Sequence, residues 1–230
     1  MRNDREIQRR IARQKARKRR RRRRIQQRLL VLVLMAGILC FCLVSLVRFL
    51  YGRMEVPAVH YEKTEHPAWS EDFLTVSEYA RPGEPLKRVK DIFVHYTANP
   101  GTNAVQNRSY FEQLKDTHER SASAHFIIGY EGDIIQCIPL DEIGYAVKTR
   151  NEDSISIECC YMNEDGSFTQ ETYDALLSLL EWLVREYGLT TDNILRHYDC
   201  GGKKCPLYYV ENEDAWEQLK RDVQERLLSD

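Results

Sequence analysis

The chain is 230 residues long, which leaves room for one ordinary domain with extensions and excludes two large domains. Its net charge of −1 conceals a segregation: residues 1–28 hold 15 Lys and Arg against Asp4 and Glu6, a local charge of +13, and residues 29–230 carry −14. Asymmetry of that size places the two parts in different surroundings.

Between them, residues 29–47 read LLVLVLMAGILCFCLVSLV without one charge. Nineteen residues in a helix span about 28 Å, close to the roughly 30 Å hydrocarbon core of a bilayer. A cleavable leader has a short basic region, an apolar run of roughly 7–15 residues and a small-residue cleavage site. Here the basic region is long, the apolar run is too long, and Arg48-Phe49-Leu50-Tyr51 offers no such site. The reading is an uncleaved, single-pass anchor. The arginine run Arg19 to Arg24 keeps the N-terminus in the cytoplasm, so everything beyond about residue 52 lies outside the cell membrane. The rival for that run, a nucleic-acid-binding arm, lacks aromatic residues to stack bases and abuts the span, so no nucleic-acid partner is expected. The expected divisions are a basic cytoplasmic tail over 1–28, a transmembrane helix over 29–50, an extracytoplasmic linker or extension over 52–85, and a monomeric globular domain over 86–230.

Residues 52–88, with Pro57, Pro67, Pro82 and Pro85, read as a stalk or an extension draped on the domain, with a short helix around Asp72–Tyr79. The run 90–98, KDIFVHYTA, is β-rich and ends at Asn99-Pro100-Gly101. Residues 104–118 are predicted helical, with Val105, Tyr110, Phe111 and Leu114 on one face. Residues 125–140 read as two strands around a Glu131-Gly132-Asp133 turn, and SISIECCY, 154–161, as another strand. Tyr173, Leu176, Leu177, Leu180, Leu183 and Tyr187 repeat at helical spacing, capped by Ser167 or Thr169 and closed by Gly188. A last amphipathic helix covers about 212–228. This order indicates an α/β domain, a mixed β-sheet flanked by helices.

The segment HYDCGGKKCP, 197–206, sets an imidazole and a thiol eight residues apart across a Gly-Gly turn, so His197 and Cys205 can meet at one metal ion. Zinc favours nitrogen and sulfur ligands, and a catalytic site keeps three protein ligands with an open fourth position. A Cys200–Cys205 disulfide beside a surface histidine is the competing reading. His95, at the end of its strand, is the best third ligand. His60, His66 and His118 read as bland, and His125 as a structural hydrogen-bonding group. Of seven cysteines, Cys40 and Cys42 lie in the apolar run. The other five are an odd number, so at least one stays outside an internal disulfide, as a metal ligand would; pairing among the rest stays open.

Along SISIECCY, Ile155, Ile157, Cys159 and Tyr161 share one face and Ser154, Ser156, Glu158 and Cys160 the other. Glu158 is the candidate base: a carboxyl in so apolar a strand has its pKa raised toward a range useful for proton transfer. Lys203 or Lys204 supplies a positive charge near the metal.

Together the segments IFVHYTANPGT, SAHFIIGYEGDIIQCIPL, SISIECCY and RHYDCGGKKCP resemble the type 2 N-acetylmuramoyl-L-alanine amidases, over about residues 86–225. The resemblance implies the peptidoglycan-recognition fold, a Zn²⁺ ion on His95, His197 and Cys205, Glu158 as the acid-base residue, and Lys203 as oxyanion stabiliser. It implies hydrolysis of the amide between N-acetylmuramic acid and L-alanine, with peptidoglycan as substrate. Some relatives use a tyrosine just before the hairpin histidine; Ala124 stands there, which favours Glu158. Ser156 stands where many relatives have Gly, and Gly144–Arg150 lacks their Trp/His-rich pattern. The alternatives are a non-catalytic peptidoglycan-binding module, against which Cys205 counts, and a structural zinc site with Cys200 as a fourth ligand.

Overall fold

The computed structural model describes residues 61–229, together with Met35, Gly37 and Leu43, which are helical. The predicted tail over 1–28, nearly all of the predicted span, and His60 lie outside the described residues. Among the described residues, no helix is long and apolar enough to cross a membrane. Residues 58–230 form one compact unit.

Six strands make one mixed sheet: β1 (Ser70–Glu71), β2 (Asp91–Tyr96), β3 (Phe126–Ile128), β4 (Ile134–Gln136), β5 (Ser154–Cys159) and β6 (Ile194–Arg196). Their spatial order is β1-β4-β3-β5-β2-β6, and only the β3–β4 hairpin is antiparallel. The helices are α1 (Ala104–Thr117), α2 (Gln170–Tyr187), the short α3 (Leu207–Glu211) and α4 (Glu213–Leu228). The expected α/β architecture, a mixed sheet flanked by helices, is what these elements build.

Strand alternation divides the core in two. Ile92, Val94, Ile155, Ile157 and Cys159 face the packed side chains of α2 and α4, among them Leu176, Leu180, Leu183, Leu219 and Val223. Ile127, Ile135, Cys137 and Cys160 face the other way, onto Ala104, Phe111 and Leu114 of α1. The two-faced reading of β5 therefore holds, and its polar members fall on the α1 side.

The caps follow the residue chemistry. Thr169 accepts from the Thr172 amide at the start of α2, and Gly188 closes that helix at φ 61°, a conformation a side chain disfavours. Asn103 and Gln106 form a reciprocal capping box on α1. On α1 the buried face is Ala104, Asn107, Phe111 and Leu114, and Val105 is exposed. At 100° per residue Val105 lies well off the arc of those four, so the predicted apolar face is corrected there.

The expected helix around Asp72–Tyr79 does not form. Instead, Ser70–Glu71 pairs in parallel with β4, and the chain runs on beside it: the Asp72 amide donates to the Gln136 carbonyl at 3.0 Å and the Leu74 amide to Cys137 at 2.9 Å. Leu74 and Ala80 are buried in the α1-side core. Residues 61–85 thus behave as an extension packed into the fold, completing the sheet edge, rather than as a stalk.

Candidate metal centre

The site grows from the shared direction of three neighbouring strands. β5, β2 and β6 run parallel, so their carboxyl ends emerge along one edge, where open α/β sheets place their ligands. β2 brings His95 there on the α1-side face, directly in register with Glu158 on β5. β6 ends at Arg196, and His197 follows at once in a single 3-10 turn, His197–Asp199.

Cys205 returns through a loop that needs glycine. Gly201 and Gly202 sit at φ 108° and 76°, and the Tyr198 amide then closes on the Cys205 carbonyl at 3.0 Å. Buried Arg196 clamps this loop: its guanidinium donates to Asp199 (2.9 Å), to Glu213 of α4 (2.6 Å) and to the Tyr209 carbonyl (2.8 Å), and Asp199 also accepts from the Arg196 amide.

The three predicted ligands meet. His95 Nδ1 lies 3.1 Å from His197 Nδ1 and 3.7 Å from Cys205 Sγ, and one ligand atom from each residue falls within 4.8 Å of the others. Tetrahedral zinc, with Zn–N of about 2.0–2.1 Å and Zn–S of about 2.3 Å, separates its nitrogens by roughly 3.3 Å and nitrogen from sulfur by roughly 3.6 Å. The donor set and its spacing therefore fit a metal ion. Cys200 stands outside the group, half-buried and a free thiol, which removes the four-ligand arrangement. All five described cysteines are free thiols, so the Cys200–Cys205 disulfide is not formed.

Electrostatics point the same way. Burial lowers the proton affinity of His95, helped by the charges of His197 and Lys203, and burial, Lys203 and Lys148 lower that of His197. Both imidazoles are thus held neutral, the state a ligand needs. Burial pushes the Cys205 thiol up to about 12, with Glu158 adding to it; a hydrogen bond from the Tyr96 backbone and the charge of Lys203 pull the other way. A cation on that sulfur favours the thiolate.

Glu158 is the predicted base. Its Oε1 lies 4.0 Å from His95 Nδ1, and burial raises its carboxyl to about 8 against the ionising pull of Lys203 and Arg120. Lys204 is committed to Glu211 at 2.9 Å, so Lys203 is the lysine whose charge serves the site. His125 is structural, as expected. Its Nδ1 accepts from the Ser156 amide at 3.1 Å and its Nε2 bonds the Glu142 carbonyl at 3.0 Å, so both ring nitrogens are spent. His66 stacks on Trp69 and His118 on Tyr79, and neither belongs to the ligand group.

Three buried polar atoms have no partner among the described residues: His95 Nε2, Thr97 Oγ1 and Glu158 Oε2. Two belong to the facing pair His95 and Glu158, and the third lies two residues past His95; buried polar groups left without partners call for an explanation, and a bound ion or water is one. Thr97 was missed in the sequence. The signal was there, since it lies two residues past His95 and alternation sets the two on one face. Arg120 had no such signal; it follows the C-terminal end of α1, and its charge favours the ionised form of Glu158.

Two histidines and one thiol beside a buried carboxyl, at the carboxyl edge of a mixed sheet, form a group that could hold one metal ion. Residues 85–207 match the Amidase_2 family, N-acetylmuramoyl-L-alanine amidase, and the chain belongs to that family. It is 33% identical over 165 residues to N-acetylmuramoyl-L-alanine amidase CwlL of Bacillus licheniformis, covering 66% of this chain and 45% of that protein. It is 32% identical over 180 residues to N-acetylmuramoyl-L-alanine amidase BlyA of Bacillus subtilis (strain 168), covering 69% and 47%. The chain thus spans about half the length of these curated relatives. Among solved structures, the catalytic domain of XlyA superposes with a TM-score of 0.58 at 25% identity, over 68% of this chain and 99% of that one. The catalytic domain of PlyG shares the fold, with a TM-score of 0.60 at 24% identity over 70% and 96%.

Proposed function

We propose that this chain is a zinc-dependent N-acetylmuramoyl-L-alanine amidase that cleaves the amide between N-acetylmuramic acid and L-alanine in peptidoglycan. The observation that carries the reading is the convergence of His95, His197 and Cys205 with the orphaned carboxylate of Glu158 beside them. The names of the relatives supply the bond.

Zinc held by His95, His197 and Cys205 supplies Lewis acidity toward the scissile carbonyl and toward water. Glu158 takes a proton from the attacking water and returns it to the departing amine of L-alanine. The carboxyl must be ionised for the first half of that task; Lys203, Arg120 and a dication alongside favour this form, and burial keeps its proton affinity high enough for the second half. The Lys203 ammonium stabilises the oxyanion that forms on the carbonyl oxygen.

The same reading places the enzyme, as a monomer, at the outer face of the cell membrane. Residues 1–28 form the cytoplasmic tail, 29–50 the anchor and 52–85 the extension, which from residue 61 is packed into the catalytic domain. The charge-free run 29–47 and the +13 tail support this.

The test is digestion of purified cell wall by the full-length chain. Release of peptides with free N-terminal L-alanine, lost on chelation and in Cys205→Ala and restored to the wild type by zinc, is the expected result. Binding of the wall without release would overturn the catalytic reading in favour of a recognition module.

A further inference from the structure

A cavity of about 260 Å³ opens on the α2 and α4 side of the sheet, between the first turns of those two helices and the short α3. No Asp, Glu, Lys, Arg or His lines it, in a chain of which 30% is charged. Its walls are the rings of Phe168, Tyr173, Tyr208 and Tyr209, with the exposed amides of Gln170 and Gln218.

The rings belong partly to the core and partly to the cavity. Phe168, Tyr173 and Tyr208 pack against the α2–α4 core while only partly buried. Tyr209 is buried against two of them, its ring centroid 5.1 Å from Phe168 and 5.3 Å from Tyr208. Hydrogen bonds fix the walls: the Tyr173 hydroxyl donates to Asp222 Oδ2 at 2.7 Å, and Gln218 Nε2 to Asp222 Oδ1 at 2.6 Å. Both Asp222 oxygens are thereby spent, and α2 is tied to α4. Gln170 Nε2 donates to Asp174 at 3.0 Å, which leaves Oε1 as an acceptor. The Tyr208 hydroxyl has no hydrogen bond among the described residues.

The cavity adjoins the metal centre through the backbone. Cys205 stands three residues before Tyr208, so their Cα atoms are at most about 11 Å apart. Gly166, two residues before Phe168, is closely packed. A Cβ there would lie 3.3 Å from Leu207 Cβ and 3.5 Å from both the Tyr208 nitrogen and the Tyr96 ring. Tyr96 follows His95 directly on β2.

Aromatic faces beside neutral donors and acceptors suit a sugar. A pyranose offers a face of C–H groups to a ring and a rim of hydroxyls to hydrogen-bonding groups, and it brings no charge. A charged peptide would leave its charges unpaired against this lining. The volume lies just under the roughly 300 Å³ at which sites for drug-sized molecules begin, so about one ring fits. We propose that this cavity is a sugar-binding site, separate from the metal centre, for one neutral N-acetylated pyranose of a glycan strand. The ligand class follows from the lining; that the strand is peptidoglycan rests on the amidase reading.

The probe is tri-N-acetylchitotriose, a neutral glycan without a lactyl–peptide amide to cut, titrated calorimetrically into the full-length, zinc-loaded chain. Saturable binding is expected, with a Kd that does not change with salt. Tyr208→Ala and Gln218→Ala should each weaken it about three- to tenfold, with zinc content as in wild type. Gln170→Ala, at an exposed side chain, should do the same and serves if Tyr208→Ala loosens the fold. Glu158→Gln should bind as wild type does. No saturation by ~10 mM probe overturns the proposal, and so does binding that all three wall variants leave intact, because the sugar then sits elsewhere. Sugar binding without wall digestion overturns the amidase reading and leaves this site standing.

Discussion

His95 and Glu158 stand opposite each other on adjacent parallel strands, with His95 Nδ1 4.0 Å from Glu158 Oε1. Register alone thus sets the proposed base beside a proposed ligand, and one substitution separates their roles. Glu158→Gln keeps the shape and removes the base. It should cost about 10²- to 10⁴-fold in kcat while zinc content stays at wild-type level. Retained activity in wall-digestion assays would assign proton transfer to another group.

Cys205 contributes charge as well as a donor atom. Cys205→Ala leaves two neutral imidazoles facing each other, and zinc affinity should fall by more than the roughly 10- to 100-fold typical of losing an outer-shell partner. Competition titration with a chromogenic chelator measures this. Because burial raises the thiol to about 12, zinc uptake by wild type should release a proton near neutral pH, and affinity should weaken as pH falls.

Thr97 Oγ1 is buried without a partner on the same face as His95. Thr97→Val removes the hydroxyl at nearly constant shape. If that hydroxyl meets the substrate, kcat/KM should drop about three- to tenfold, Thr97→Ser should recover it, and Tm should not fall. An equal loss in both variants would make the methyl group, and hence packing, the relevant part.

Arg196 links the loop that carries His197 and Cys205 to α4. Arg196→Met should lower stability by about 2 kcal/mol through the lost charge-assisted hydrogen bonds and loosen zinc binding as well. Urea unfolding with and without zinc separates the two effects. If only stability changes, the loop keeps its shape without the clamp.

These cases show which parts were readable from sequence. His95, Glu158, His197 and Cys205 lie on or beside segments with strong local patterns: a β-run, an apolar alternation and a Gly-Gly turn. β1 and β6 were not seen because strands of two and three residues carry no periodicity and, unlike β3 and β4, no hairpin turn marks them; β1 forms by pairing with the edge of β4. Val105 was assigned to the wrong face because apolar character alone was followed, where the helical angle decides. Arg196 escaped because its role depends on which acids it meets, a property of tertiary structure that the order of residues does not display.

His125 makes the last prediction, one of stability against pH. Burial drives its proton affinity down to about 4, partly offset by the Glu142 carbonyl that accepts from Nε2, because Nδ1 must stay unprotonated to accept the Ser156 amide. In the unfolded chain the ring titrates near its ordinary value of about 6.5. Between those values the unfolded state binds the extra proton, so this residue's contribution is complete above about 6.5 and is lost as pH falls toward 4. In His125→Asn the amide oxygen can replace Nδ1 as acceptor without titrating. For metal-free protein, urea unfolding across pH 4 to 6.5 should therefore show a shallower loss of stability in the variant, by up to about 1.4 kcal/mol per pH unit. The variant should be the less stable protein at pH 7, where the bond to Glu142 is missing. Parallel curves for the two proteins would mean that His125 is not held neutral by the fold.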